Sequence, residues 1–358
     1  MTAPVMDQTK AEKFAEKMLN ILNDGSLALM ISIGHRTGLF DALGELPPSP
    51  SHRIAEAAGL NERYVREWLG ALVTGRIVEY DPASGSYHLP REHAAALTRA
   101  AGENNMAATV QFLPLLASVE DRIIDSFRNG GGVPYSAFPR FQEVMAEEGG
   151  KILSSALIKE IVPLVPGLDA RLRSGLEVLD VGCGKGFAMI LLAEAYPESR
   201  FAGYDISEEG IAGAAAEARR RGLSNVRFEV KDVAALDEPE RYGLITAFDA
   251  IHDQAHPAEV LRGIAGSLKR DGVFLMQDIA ASSHVHKNLD HPIAPYLYAV
   301  SCMHCMTVSL AQGGDGLGTV WGEETARRML EEAGFAGVEV KQITQDIINS
   351  YYVARKAL

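Results

Sequence analysis

Several things are scarce in this chain, and each scarcity excludes something. Its 358 residues include 3 cysteines, Cys183, Cys302 and Cys305. That is too few for a disulfide framework, so a reducing compartment, the cytoplasm, is expected. Positive charge is in deficit: 34 Lys and Arg stand against 47 Asp and Glu, a net charge of −13. Nucleic acid and anionic membranes are bound through clustered cations, so neither is an expected partner. No apolar run reaches the roughly 18 residues of a membrane-spanning helix. Met1 to Lys10 lacks the apolar centre of a secretory leader. Apolar mass is plentiful, with 47% hydrophobic residues and a mean hydropathy near zero. At this length the prior is two domains, each with a substantial core.

The chain is organised around Glu177-Val178-Leu179-Asp180-Val181-Gly182-Cys183-Gly184-Lys185-Gly186. Val178, Leu179 and Val181 suit a buried parallel strand. The glycines that follow let bare backbone approach a ligand, and Phe187 to Ala195 reads as the next helix. A dinucleotide loop needs G-x-G-x-x-G at a helix N-terminus. Here the third glycine comes one residue early, and Phe187 holds the dinucleotide position. A tight turn with no ligand is the competing reading of the loop alone.

Further acids follow in series. Phe201 to Ile206 is a strand ending in Asp205, one βα unit on, where a carboxylate can accept ribose hydroxyls. Val226 to Val230 is a strand leading into Lys231-Asp232-Val233. Leu244 to Phe248 is a fourth strand, running into Asp249-Ala250-Ile251-His252-Asp253-Gln254. Acids at the carboxyl ends of successive strands describe one cleft. Gly272 to Asp278 is a fifth strand; Val338 to Ile343 and Tyr351 to Arg355, joined without a helix, form an antiparallel pair.

Asp180, Gly182, Gly184 and Gly186 match motif I, E/D-x-G-x-G-x-G, and from about residue 170 onward the chain resembles the class I S-adenosylmethionine-dependent methyltransferases. The resemblance implies an α/β fold: a doubly wound, Rossmann-like seven-stranded sheet with an antiparallel last strand. It implies S-adenosyl-L-methionine as cofactor, with the glycine loop beside its amino-acid part, Asp205 on the ribose and Asp232 at the adenine amino group. Ile206, Val233 and Phe248, at the same strand ends, are assigned to the cofactor's walls. Small-molecule O-methyltransferases carry His-Asp-Trp after the fourth strand, the histidine being the general base. His252-Asp253 matches, and Gln254 stands where the tryptophan would be. Asp278 falls near the carboxylate that orients that histidine; Glu323 and Glu324 are looser candidates.

Upstream, a frayed stretch to Lys10 is expected, then helices over Ala11–Leu22 and Leu27–Thr37, stopped by Gly38. Ser51 is expected to cap His52–Ala58 and Asn61 the next helix, with Val65, Trp68, Leu69 and Leu72 on its apolar face. Strands over 76–80 and 86–89 flank a turn, and the whole is an α-helical winged helix over residues 1–100. A DNA-reading second helix is basic. Glu62, Arg63, Arg66 and Glu67 sum to zero, which argues against a nucleic-acid reader; many small-molecule O-methyltransferases carry a similar domain, and that resemblance implies a dimerisation and lid role. The apolar Leu27–Ile33 stretch and the Trp68 helix predict a homodimer.

Residues 101–169 read as a helical connector with a flexible break at Asn129–Pro134. Within it Met106, Phe112, Leu113 and Leu116 are candidates to line an acceptor pocket. The catalytic domain is placed at 170–358. It includes an insertion at about 281–322, with a helix over Pro295–Ala311, expected to shape the site of a small, apolar or aromatic acceptor. Cys302-Met303-His304-Cys305 offers two ligands on one helix face, short of a closed zinc site, so no metal is expected, although His284, His286 and His291 could complete one. The function expected is methyl transfer, O-methylation favoured. A cofactor-sensing transcriptional regulator, or a thiol- or metalloid-directed methyltransferase using the cysteines, are the alternatives.

Overall fold

The computed structural model describes residues 6–344 and 346–356. Its contacts divide the chain into two compact units, the second beginning at Leu116. The first opens with one helix, Gln8–Thr37, where two were expected. A glycine in a helix interior costs only about 1 kcal/mol against alanine. Ser26, beside Gly25, stays in the helix by donating its hydroxyl to the Leu22 carbonyl at 2.8 Å. Asp7 caps the start and Gly38 ends the helix at φ 74°. The frayed start is therefore not seen from Asp7 onward; Met1–Val5 lie outside the described residues.

Helices Leu39–Glu45, Ser51–Ala58 and Glu62–Thr74 follow, then strands β1 (Glu79–Asp81) and β2 (Ser86–His88), paired antiparallel. Asn61 caps its helix as expected, accepting from the Arg63 amide. Ser51 does not cap: Pro50 holds that position, and the Ser51 hydroxyl donates to Glu62 at 2.6 Å. Phe40, Ile54, Val65, Trp68, Leu69 and Leu72 form the centre of this unit's core. Trp68 also donates its indole N–H to the Met30 carbonyl at 2.8 Å. The apolar face of the Trp68 helix is thus covered within its own unit, although Tyr64 on that helix stays exposed; on the first helix Phe14, Leu19, Leu22, Leu29 and Ile33 are left in solvent.

The connector is more broken than its periodicity suggested. Asn105 accepts from the Ala107 amide and starts a short helix, Met106–Val110, which ends at Gln111 before a second, Phe112–Ala117. Glu120–Asn129 and Phe141–Ala156 follow. The stretch expected as a flexible break is pinned. The Val133 amide donates to the Thr307 hydroxyl at 2.8 Å. Gly132 approaches the same turn so closely that a Cβ would lie 2.0 Å from the Thr307 carbonyl oxygen.

The second unit holds the expected seven-stranded sheet. Its strands are β3 (Glu177–Val181), β4 (Arg200–Asp205), β5 (Val226–Val230), β6 (Tyr242–Phe248), β7 (Leu268–Ile279), β8 (Phe335–Ile343) and β9 (Asp346–Lys356). They lie in the order β5-β4-β3-β6-β7-β9-β8. The first five run parallel, and β9 is antiparallel to both its neighbours. Alternate residues feed two apolar cores: Leu179, Val181 and Ile245 one face, Val178, Phe201 and Leu244 the other. Burial on both faces is why these strands read as continuous apolar runs. Chain order reverses between β3 and β6, and in open parallel sheets that point opens a crevice at the strands' carboxyl ends. The insertion helix runs from Ala294 to Ala311 but contains a π turn, Ser301–Cys305, at its middle. A wider turn separates positions three apart, so Cys302 and Cys305 do not present one paired face. No described helix is long and apolar enough to cross a membrane.

Candidate active site

A cavity of about 560 Å³ opens at the crevice, within the size range of small-molecule sites. Gly182, Gly184, Asp205, Ile206, Val233 and Phe248 line it. Asp180, Gly186 and Asp232 do not. Asp180 is buried beneath the loop, accepting the Thr246 hydroxyl at 2.7 Å, and burial pushes its carboxyl up to about 7. Gly186 is packed: a Cβ there would sit 2.4 Å from the Phe228 ring and 2.8 Å from Ala214. Asp232 is exposed and accepts from the Ala234 amide at 2.9 Å, so it starts the short turn that carries Val233 to the wall.

Asp205, half-buried, accepts from the Gly184 amide through Oδ2 and from the Ser207 amide through Oδ1, each at 2.8 Å. Burial raises its pKa, against which these amides pull down. Each oxygen keeps a lone pair for a ligand hydroxyl. Gly184 turns its bare α-carbon toward open space, the nearest atom to a Cβ there being Gln142 Oε1 at 3.9 Å. The loop can therefore seat a ligand's backbone-like end while Asp205 holds a diol and Val233 and Phe248 offer an apolar slot.

Beyond that end lies His252, 3% exposed. Its Nδ1 is 2.8 Å from Asp278 Oδ1. That oxygen also accepts the Trp321 indole N–H at 2.9 Å and the Ile279 amide at 2.8 Å. Glu323 and Glu324 instead pair with Arg327 and Lys287. The His252 Nε2 faces Asp253 Oδ1 at 3.4 Å. Burial pushes the imidazole pKa down, but the charges of Asp278 and Asp253 outweigh it and hold it well above the ordinary value. His252 lies just behind the cavity wall, which Asp253, Gln254 and Asp249 form at that point.

Two families match the sequence: an Rv2258c-like winged HTH domain over residues 25–99, and a methyltransferase domain over residues 172–342. Residues 172–342 are thus a methyltransferase domain, preceded by a winged HTH domain. Among curated relatives, the trans-aconitate 2-methyltransferase of Methylobacterium nodulans is 39% identical over 100 residues, 28% of this chain and 37% of that one. A malonyl-[acyl-carrier protein] O-methyltransferase of Bacillus cereus is 26% identical over 147 residues, 41% of this chain and 49% of that one. The chain thus spans less than half the length of the first curated relatives it matches, 30% to 49%. Its fold is shared with a putative O-methyltransferase of Nostoc punctiforme, TM-score 0.73, 19% identical, over 95% of this chain and 98% of that one. It is shared also with human N-acetylserotonin methyltransferase, solved with S-adenosylmethionine, TM-score 0.70, 17% identical, over 100% of both chains. The diol-accepting carboxylate, open glycine and apolar slot of the cavity fit S-adenosylmethionine.

Parts of the methyltransferase's cavity were not anticipated. Tyr135, Phe138, Phe141 and Gln142, from the connector, line it, whereas the insertion contributes Gln312. The Phe141 ring stacks on His304 at 4.0 Å, and burial pushes the His304 pKa down to about 4. The aromatic spacing of Tyr135, Phe138 and Phe141 after a glycine run was the available signal. Asp249 was also missed. It leaves β6 in the left-handed region at φ 50°, accepts the Gln277 amide N–H at 3.2 Å, and lines the cavity. Burial, then the charge of Asp278, holds its carboxyl well above the usual range.

Proposed function

We propose that this enzyme methylates a hydroxyl oxygen of a small, apolar or aromatic acceptor, with His252 as general base and Asp278 as the group that positions it. The carrying observation is the buried His252 Nδ1–Asp278 Oδ1 hydrogen bond of 2.8 Å. With Nδ1 committed to Asp278, Nε2 is the nitrogen that takes a proton once the ring is neutral, a state that the charges of Asp278 and Asp253 move to higher pH. S-adenosylmethionine supplies an activated methyl group, so the chain must align the reactants and exclude water. Gly184, Asp205, Val233 and Phe248 hold the cofactor in this reading, and Tyr135, Phe138 and Phe141 give the acceptor an apolar, aromatic wall. Transfer would break the sulfur–methyl bond as the oxygen–methyl bond forms, leaving S-adenosylhomocysteine; the acceptor's proton passes to His252 Nε2, and Asp278 stabilises the imidazolium. Removing a general base typically costs a hundred- to ten-thousandfold.

The test is turnover against a panel of small phenols and alcohols, read as S-adenosylhomocysteine formed. His252→Ala is expected to keep cofactor affinity and lose about two orders of magnitude or more in kcat. Asp278→Asn is expected to lose roughly ten- to a hundredfold, the worth of one charged hydrogen bond. Turnover of His252→Ala within a few-fold of the parent would overturn the assignment and favour an acceptor that arrives already nucleophilic.

The active species in this reading is a cytoplasmic homodimer. The free thiols Cys183, Cys302 and Cys305 suit a reducing compartment. Phe14 and Leu22, on the first helix, are 62% and 66% exposed, apolar surface that a second copy would cover. A DNA-binding role is not supported: on the Glu62–Thr74 helix, Arg63 pairs with Glu67 and Arg66 with Glu62.

A further inference from the structure

Behind the cavity wall, three side chains that the reaction above does not use together converge. A ring nitrogen of His252, an Asp253 carboxylate oxygen and Cys305 Sγ all lie within 4.8 Å of one another, and Nε2 is the nitrogen that faces Asp253. The loop after β6 brings the first two, and the π turn Ser301–Cys305 brings the third. Such turns often sit at functional sites. His252 and Cys305 are buried, 3% and 5% exposed. Nε2 and Asp253 Oδ1 are 3.4 Å apart, close to the roughly 3.3 Å edge of a tetrahedron whose bonds are about 2.0–2.1 Å.

The surroundings match a metal's needs. A ligating histidine ordinarily donates its other ring N–H to a carboxylate, which fixes its orientation. Here Nδ1 meets Asp278, which Trp321 and the Ile279 amide hold in turn. Asp253 accepts the Tyr135 hydroxyl through Oδ2 at 3.1 Å. Its Oδ1 is buried and has no hydrogen-bond partner among the described residues. Asp253 also lines the cavity, so a fourth coordination position would open toward it.

We propose that His252, Asp253 and Cys305 bind a thiophilic divalent cation of the Zn²⁺ type, and that its binding switches the enzyme off. One thiolate, one imidazole and one carboxylate favour such an ion over Mg²⁺ or Ca²⁺. On coordination the Cys305 thiol and a protonated His252 Nε2 release their protons to solvent, and the freed Nε2 lone pair is shared with the metal. That lone pair is the one that takes the acceptor's proton, so metal and base exclude each other. The binding rests on geometry alone; the inhibition rests on the reading of His252 as base. The expectation that no metal binds came from the Cys302–Cys305 spacing, which does not show that Cys305 meets His252 and Asp253.

Chelator-treated, full-length enzyme is titrated with Co²⁺ and followed by absorption. The parent and Cys302→Ser should take one equivalent, with a thiolate-to-cobalt charge-transfer band that Zn²⁺ displaces. Cys305→Ser and, as a second variant, Cys305→Ala should lose the band. Asp278→Asn should weaken binding roughly ten- to a hundredfold. In turnover assays, the Zn²⁺ concentration that halves each protein's own metal-free rate should rise at least tenfold in Cys305→Ser but not in Cys302→Ser. No thiolate band in the parent, or the same band in Cys305→Ser, overturns the site and leaves the base assignment standing. A band with turnover insensitive to Zn²⁺ overturns the inhibition. If His252→Ala is then also active, the error lies in the base assignment.

Discussion

Alanine at each glycine of the motif loop should separate folding from cofactor binding. At Gly186, φ is 70° and a Cβ would sit 2.4 and 2.5 Å from Phe228 ring atoms and 2.8 Å from Ala214. Forcing a methyl into packed surroundings costs about 1–3 kcal/mol, and a Cβ in the left-handed region about 1–2 kcal/mol more. Gly182 is similar, at φ 72° with Ala250 Cβ 2.5 Å away. At Gly184, φ is 52° but the nearest atom is 3.9 Å off, so only the backbone cost of about 1–2 kcal/mol applies. Gly184→Ala should therefore melt about 2–8 °C below the parent, and Gly186→Ala and Gly182→Ala further below, at a few degrees per kcal/mol for a unit of this size. Affinity should be ordered the other way. A methyl on Gly184 projects into the cavity and should weaken S-adenosylhomocysteine binding at least about tenfold. Folded Gly186→Ala should bind within a few-fold of the parent. Thermal unfolding with calorimetry on the three variants reads both quantities. If Gly184→Ala is as destabilised as Gly186→Ala, or if Gly186→Ala loses affinity at parental stability, the division between packed and open glycines is wrong.

Asp205→Ala should lose about ten- to a hundredfold in cofactor affinity, and unchanged calorimetry would remove it from the ribose. Asp180 gives a pH effect. Burial lifts its carboxyl to about 7, so between about pH 4 and 7 the native state keeps a proton that the unfolded chain releases. The stability this represents is present below about pH 4 and is lost as pH rises toward 7, by up to about 4 kcal/mol. Asp180→Asn keeps the neutral shape, so the cofactor-free variant should out-melt the parent at pH 8 and match it near pH 4; parallel melting curves across that range would contradict this. Light scattering at micromolar concentration should show a dimer, and a Phe14→Glu/Leu22→Glu variant a monomer; a monomeric parent would refute the covered face.

Features that depend on neighbours in the chain were legible from the sequence. β3 and the Phe187–Ala195 helix have the residues expected of them, because buried strands and helices leave apolar runs; β5, at the sheet edge, was legible instead from its alternation of apolar and polar residues. Gly38 and Asn61 punctuate their helices for equally local reasons. The acids at successive strand ends marked the crevice, since a parallel sheet sends every strand's carboxyl end to one side. Only tertiary structure decided what each marked residue faces. Gly184 opens on the cavity while Gly186, two residues on, is filled by Phe228. His252 meets Asp278 because β6 and β7 are paired neighbours, and Cys305 reaches His252 because a π turn widens the insertion helix there. The aromatic wall from Tyr135 to Phe141 stands at the cavity because Gly132 lets its backbone press against Thr307. Such contacts join residues far apart in the chain. A local pattern records a residue's own conformational preference, whereas the partner across the fold is set by how the packed elements meet.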